Sequence, residues 1–277
     1  MSDGFPAISL QVNDTVSEKR QMAIQGLFQD KFLNKLTTPV RFIDDAKLYT
    51  TTSLHFYRHD FAHLSRQMFM EYQYRSWVGF NQDLLDRFNE LCTTKLHNIL
   101  QMLNLHVQRY KQLLQQNNAA MDTTVYPSAY VFTVPITSPL AATYFEVLQT
   151  LDRVHEYGGA CALWGIIQDK ERSSTEYQCK RAIRAMSTML RFEVPKLQRE
   201  SFRVMKEQKS PSQDDKTIES VVKMQDENMK NINAHADESH VSGEDASQAI
   251  DDAVAASKAL VNAAKSKKAP KAAAAQA

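Results

Sequence analysis

Three histidines spaced four residues apart are the first feature of the sequence that could carry chemistry. His55, His59 and His63 lie in SLHFYRHDFAHLSR, with Asp60 next to the second of them. Histidines four apart share one face of a helix and can bind zinc there. However, we predict His55 on a strand, and the metalloprotease pattern HExxH is absent from the sequence. We therefore interpret all three as surface or strand-edge histidines and predict no metal.

A row of basic residues lies in TEYQCKRAIRAMSTMLRF. Lys180, Arg184 and Arg191 fall within a narrow arc at 3.6 residues per turn, with Arg181 adjacent. Such rows neutralise DNA phosphates, so we predict phosphate contacts by these four residues. The solvated face of an amphipathic helix would show the same pattern, and the sequence alone leaves both interpretations open.

Signatures of catalysis are missing. The sequence has no nucleophile elbow, Walker motif, dinucleotide fingerprint or kinase signature. Its three cysteines, Cys92, Cys161 and Cys179, are far apart and lack metal-site spacing. We interpret Cys92 and Cys161 as small core residues. The sequence thus predicts a protein that is not an enzyme, with no catalytic residue and no cofactor.

Composition restricts the choice of partner. The chain has 277 residues, 43% of them apolar, and a formal net charge of +1. Any contact with nucleic acid must therefore depend on a local basic patch.

The N-terminus lacks the features of a signal peptide, and no run approaches the roughly 20 apolar residues of a membrane span. We expect a cytoplasmic protein with no membrane contact.

Two successions of strand, helix and helix are predicted to position these residues. In the first, the run LYTTTSLHFY (48–57) predicts a strand, followed by a short helix over about 59–72. A long amphipathic helix then begins at Asn81, its predicted N-cap, and ends near Asn117.

The second succession begins with a predicted strand at 129–134. Ser138-Pro139 has the form of a helix start. Gly158-Gly159 in that helix predicts either a bend or a close neighbour. The capping-box pattern from Ser173 to Glu176 predicts the start of the last helix, with Pro195 kinking or restarting it.

The order of elements matches a ribbon-helix-helix unit, in which a two-stranded ribbon enters the major groove. The outward face of the first predicted strand would then read bases, through Tyr49, Thr51, Ser53 and His55. A strand packed on the helices of an ordinary α+β core explains the same order equally well.

The chain is predicted to have three parts. Residues 1–37 form an N-terminal extension, and 38–207 form one mainly helical α+β domain, divisible into halves 38–120 and 121–207. Beyond about residue 208 aromatic residues disappear and Ser, Asp, Lys and Ala dominate. We predict a disordered, low-complexity tail over 208–277 with a helical tendency, in which Ile250, Val254 and Val261 could form a transient helix.

Several passages resemble the AcaB-like transcriptional regulators of integrating conjugative elements and conjugative plasmids. These are SLHFYRHDFAHLSR, the strand ending at Pro135, Leu151-Asp152-Arg153, and the later Arg181, Arg184 and Arg191. The resemblance covers roughly residues 38 to 200 and excludes the tail. It implies a DNA-binding regulator of conjugative-transfer genes, related to ribbon-helix-helix proteins.

We therefore expect a transcriptional regulator that binds promoter DNA as a homo-oligomer. The alternative is a scaffold or adaptor of the conjugative-transfer or element-maintenance machinery. In that case the apolar stripe from Leu84 to Leu114 would pack against a partner protein's helix.

Overall fold

Helices surround a single two-stranded sheet in the part of the chain that the structure describes. It is a computed structural model that describes residues 18–28, 39–119, 126, 128–208 and 243–266. The elements are α1 (Glu18–Leu27), β1 (Arg41–Leu48), α2 (Thr51–Phe56), a π-helical turn (Tyr57–Phe61), α3 (Ala62–Tyr74), α4 (Gln82–Gln116), β2 (Tyr130–Ile136), α5 (Pro139–Leu163), α6 (Asp169–Gln208) and α7 (Gly243–Ser266). The predicted α+β, mainly helical class is confirmed.

The first strand lies earlier than predicted, and the prediction of a strand over 48–57 is wrong. β1 ends at Leu48, and α2 begins at Thr51. Thr50 is the N-cap, with its backbone extended at φ −108° and ψ 142° and its hydroxyl accepting a hydrogen bond from the Ser53 N–H. Threonines favour strands, but they also cap helices, and here the cap prevails.

The strands of the two predicted halves pair within one chain. β1 and β2 run antiparallel, with Arg41 opposite Ile136 and Leu48 opposite Tyr130. A bulge between Ile43 and Ala46 interrupts the register. β2 ends two residues beyond the predicted strand.

The long amphipathic helix is confirmed as α4. Its N-cap Asn81 accepts a hydrogen bond from the Leu84 N–H at 3.2 Å, and Asn117 is its C-cap. The predicted apolar stripe is almost entirely buried inside the chain. Its buried members are Leu85, Phe88, Cys92, Leu96, Ile99, Leu103, Val107, Tyr110 and Leu114.

Helix α5 packs against α4, and its predicted start is confirmed. The Ser138 hydroxyl accepts from the Ala141 N–H at 3.2 Å, ahead of Pro139 in the first turn. A Cβ on Gly158 would lie 3.1 Å from the ring of the buried Tyr110. The glycine therefore permits a close approach of the two helices.

Helix α6 begins before its predicted capping box. Its first residue is Asp169, and Thr175 is buried inside it, donating a hydrogen bond to the Glu171 carbonyl at 3.1 Å. A threonine hydroxyl can bond one turn back in this way, so a Ser/Thr cluster need not mark a helix start. The helix continues through Pro195 to Gln208.

The prediction of a disordered tail is wrong for Gly243–Ser266. This stretch is helix α7, which packs against α4 and α6 and buries Ala246, Ile250 and Ser257. Small apolar residues every three or four positions make a narrow stripe, and tertiary packing supplies the stability that composition does not. Residues 209–242 and 267–277 of the predicted tail lie outside the described residues.

At the other end, α1 packs against β2, and the Arg20 guanidinium lies 5.3 Å from the centre of the Phe42 ring. No described helix combines the length and apolar character required to cross a bilayer.

Candidate nucleic-acid interface

Helix α6 presents a row of arginines to solvent. With about 100° of rotation per residue, Arg181, Arg184, Arg191 and Arg199 fall on one side of the helix. Arg181, Arg184 and Arg199 are exposed, and Arg191 is half-buried. The apolar arc predicted from the sequence lies on the other side and is buried, with Cys179, Ile183, Met186 and Leu190 in the core. We call Arg181, Arg184, Arg191 and Arg199 the arginine stripe.

The carboxylates of α6 all pair with basic side chains outside this stripe. The pairs are Asp169–Arg172 (3.4 Å), Glu171–Arg109, Glu176–His155 (3.2 Å), Glu193–Lys196 (2.7 Å), Glu200–Arg203 (2.6 Å) and Glu207–Arg203 (2.7 Å). Within the described ranges, no ion pair involves a member of the arginine stripe. The guanidinium groups of Arg181, Arg184 and Arg199 are therefore exposed without an ion-pair partner among the described residues, while the Nε of Arg191 is buried. Free guanidinium groups can bind phosphates in bidentate geometry.

Lys180 differs from the arginines with which it was predicted. Its Nζ lies 3.9 Å from the Glu176 carboxylate, which also contacts His155 and Arg172. Burial opposes ionisation of Glu176, but the His155 hydrogen bond and the nearby cations outweigh it and lower its pKa. Lys180 thus lies near a carboxylate that competes with a phosphate for its charge, whereas no arginine of the stripe forms an ion pair in the part of the chain that the structure describes.

A cluster on α2 and the π-helical turn faces the arginine stripe. The rings of His55 and His59 lie 4.3 Å apart. Burial raises the pKa of the neighbouring Asp60, while the charges of His55, His59, Arg191 and Arg184 act against that rise. The structure thus brings the predicted base contact His55 into the electrostatic neighbourhood of two predicted phosphate contacts. Such π-helical turns occur frequently at functional sites.

His63 lies deeper in the same cluster. Burial lowers its pKa to about 4, and the charges of Arg66 and Arg191 add to the effect. Its Nε2 lies 2.7 Å from the Gln67 amide nitrogen. Because that amide donates, the imidazole accepts and is neutral at pH 7. The described residues contain no group of three or more His, Cys, Asp or Glu side chains suited to a metal.

The other predicted base contacts do not form a reading face. The Tyr49 N–H is bonded to Asp152, and the Tyr49 ring lies 6.2 Å from that of Tyr126. Ser53 is fully buried, and Thr51 is exposed in the first turn of α2. These residues belong to a strand end and a helix, so the predicted alternation of a strand does not apply to them.

The observed ribbon carries acidic side chains. Asp44 and Asp45 of β1 pair with Arg20 and Lys19 of α1, the latter at 2.7 Å. The hydrogen bond from Arg20 lowers the pKa of Asp44. The strand also carries Arg41 and Lys47, so it has no net charge, and both of its aspartates are bonded to α1. Such a ribbon lacks the excess positive charge that favours entry into the major groove, where phosphates surround the protein. The predicted ribbon-helix-helix arrangement is not confirmed.

Sequence reasoning missed some of the residues around the stripe. Arg66 lies one turn from His63 inside the helix that was predicted over about 59–72, but it was not predicted to be part of a site. Tyr177 and Phe192, both exposed, lie on the same side of α6 as the arginines. A helical wheel of α6 that included aromatic residues would have found them.

Comparison with known proteins shows the fold. No family model matches the sequence, and no curated protein matches it. A similar solved structure is that of selenomethionine-containing AcaB from uropathogenic E. coli, with a TM-score of 0.54 and 16% identity. The match covers 62% of this chain and 87% of that one. Over this part, the chain shares the fold of AcaB.

Proposed function

We propose that this protein is a DNA-binding transcriptional regulator of conjugative-transfer genes on an integrating conjugative element or plasmid. The arginine stripe carries the proposal, because its guanidinium groups form no ion pair in the described residues while every carboxylate of α6 is paired elsewhere. The family resemblance and the fold shared with AcaB support it. Such a regulator acts in the cytoplasm.

Phosphates would bind along the stripe. Arg184 and Arg191 are separated by about 10 Å of helix, comparable to the ~12 Å width of the major groove. Helix α6 can therefore lie across a duplex with the two arginines reaching different strands. Arg181 and Arg199 would extend the contact. His55 and His59 are near Asp60, on which the charges of Arg184 and Arg191 also act, and would add hydrogen-bond donors or acceptors.

The alternative of a scaffold protein has lost its main support. It relied on an apolar stripe of α4 that remained exposed for a partner helix. Phe88, Leu96 and Leu103 of that stripe are buried against the chain's own helices.

A homo-oligomer would place two arginine stripes on one DNA, and light scattering of the purified protein would measure its mass.

Fluorescence anisotropy on the chain's own upstream DNA and on a scrambled fragment tests the proposal. We expect a preference for the upstream DNA that persists at near-physiological salt. Replacing both Arg184 and Arg191 with alanine should weaken binding to both DNAs and reduce the salt slope by about two, one for each lost phosphate contact.

The matched control is Lys196→Ala, because Lys196 lies on the same helix but is paired with Glu193 at 2.7 Å. We expect it to bind like the wild type. If the double arginine variant keeps wild-type affinity and salt slope, α6 is not the DNA contact. Binding that disappears equally on both DNAs as salt rises would contradict a sequence-reading regulator.

A further inference from the structure

Two exposed aromatic rings flank the arginine stripe. Tyr177 is 65% exposed and Phe192 is 45% exposed. Among the described residues, neither ring packs against another aromatic ring or a cation. Tyr177 precedes Arg181 by one helical turn, and Phe192 follows Arg191 directly. The exposed side of α6 therefore combines flat apolar surfaces with unpaired positive charge.

We propose that the arginine stripe, together with Tyr177 and Phe192, is a binding site for unpaired DNA. This inference rests on the proposed function, since it names the form of DNA that the same surface prefers. A regulator with such a surface would hold a melted stretch of its target or a free single strand.

The geometry of stacking favours unpaired bases. In a duplex the face of each base is covered by its neighbours, and a ring on the protein surface reaches only backbone or base edges. In a single strand the faces are free, and an aromatic side chain can stack on any base regardless of sequence. The rings add nothing to a contact with phosphate alone, whereas a partner with free base faces could stack on them.

The spacing along the helix fits a strand that follows α6. Fifteen residues separate the two rings, which corresponds to about 22 Å of helix axis. Arg181, Arg184 and Arg191 lie between them on the same side. A strand stacked at both ends would thus have its intervening phosphates next to three guanidinium groups. This is the combination of stacking surfaces and positive groove found in proteins that bind single strands.

Carboxylates do not interrupt this surface. On the face between the two rings α6 carries no acidic residue, and Glu176 and Glu193 point to other sides, where they pair with His155 and Lys196. Asp60 is half-buried, and the charges of Arg184 and Arg191 act on its carboxyl group.

The test uses the full chain and one labelled oligonucleotide of mixed sequence, offered as a single strand and annealed to its complement. We expect the wild type to bind the single strand more tightly. Tyr177→Ala and Phe192→Ala should each weaken single-strand binding by roughly 5- to 100-fold, with little change for the duplex. The salt slope should stay constant, because no charge is lost.

Two sets of variants keep the interpretation clear. Tyr177→Phe and Phe192→Tyr retain a stacking ring and should restore single-strand affinity. Tyr72→Ala on α3 removes a ring that is 46% exposed, close to the exposure of Phe192, and should leave binding unchanged. All these positions are on the surface, and circular dichroism would verify that the variants fold.

The outcomes separate the two proposals. If the alanine variants bind both forms like the wild type, or if the duplex is the preferred form, the inference for unpaired DNA is wrong. The double arginine variant still decides the proposed function in that case. If the wild type binds neither form, the inference for unpaired DNA is wrong, and the measurement on the chain's own upstream DNA still decides the proposed function.

Discussion

Asp152 of α5 holds the first turn of α2 through Thr50. Its carboxylate accepts hydrogen bonds from the N–H groups of Tyr49 and Thr50 at 2.7 and 2.9 Å, and from the Thr50 hydroxyl at 2.6 Å. Asp152 is buried, although α2 lies a hundred residues away in sequence. This contact stops β1 at Leu48 and turns the chain into the helix that places His55 and His59 beside the arginine stripe.

Asp152→Asn should therefore destabilise the fold. An amide offers one acceptor oxygen where the carboxylate offers two, so a buried N–H would lose its partner. We expect a loss of about 2 kcal/mol in the free energy of unfolding. Urea denaturation measures it, with Arg153→Ala as the exposed neighbouring control. An unfolding midpoint equal to that of the wild type would show that the contact contributes no stability.

The two glycines of α5 should respond differently to alanine. At Gly158 the new Cβ would meet the ring of Tyr110 at 3.1 Å, and that ring is fully buried. We expect a cost of about 1–2 kcal/mol from overpacking. At Gly159 it would meet the Tyr126 hydroxyl, the end of a half-buried side chain. There the gain in helix propensity, about 1 kcal/mol, should offset the adjustment.

Thermal unfolding of the two variants side by side gives the comparison. Equal melting temperatures for Gly158→Ala and Gly159→Ala would mean that the helices α4 and α5 can separate slightly without cost.

The docking of α7 depends on a charged contact. The Nζ of Lys95, almost fully buried, lies 2.7 Å from the Asp251 carboxylate and donates to the Ser247 carbonyl at 3.2 Å. Asp251→Ala leaves that ammonium without its counter-ion, which is costly in a buried site. We expect faster hydrogen exchange across Gly243–Ser266.

Asp252→Ala is the matched control, because that exposed carboxylate contacts only Gln248 among the described residues, at 2.9 Å. Unchanged exchange of α7 in both variants would show that its apolar residues alone suffice for docking.

Buried His106 should make the stability dependent on pH. Burial lowers its pKa to about 4, and Arg109 adds to the shift. In the unfolded chain a histidine titrates near 6.5. Above pH 6.5 the His106 imidazole is neutral in both the folded and the unfolded chain, so its titration takes no stability from the fold. As the pH falls from 6.5 towards 4, only the unfolded state binds the proton, and stability is lost.

At pH 5 this loss should amount to about 2 kcal/mol from His106, and His63 acts in the same direction. His106→Gln should flatten the pH dependence in urea titrations at pH 7.5 and 5, whatever its stability at neutral pH. An identical acid loss in His106→Gln and wild type would contradict the assignment.

Asp60 should weaken the attraction of DNA. The charges of Arg184 and Arg191 act on its carboxyl group, so the carboxylate in turn lowers the positive potential at the stripe. Asp60→Asn should raise DNA affinity a few-fold at low salt and less at high salt, because a single repulsive charge is screened. Anisotropy at the two salts checks this. Weaker binding would indicate that Asp60 positions His55 or the arginines.

Local patterns in the sequence determined the position of two helices and the exposed basic face of a third. The spacing of apolar residues from Leu85 to Leu114 and the capping residues Asn81 and Asn117 defined α4. Ser138-Pro139 defined the start of α5. The arc of Arg184 and Arg191 predicted an exposed basic face on α6. In each case the information lies within a few turns of the chain, where propensity, capping and periodicity agree.

Tertiary structure decided the rest. LYTTTSLHFY has both strand-forming and helix-capping residues, and Asp152, distant in sequence, selects the helix. Helix α7 is too weakly apolar to be predicted from composition, and the surface of α4 and α6 stabilises it. The tertiary structure also decides which arginines form no ion pair, because it determines which basic residue lies next to each carboxylate. These outcomes follow from contacts between residues far apart in sequence, which no local pattern contains.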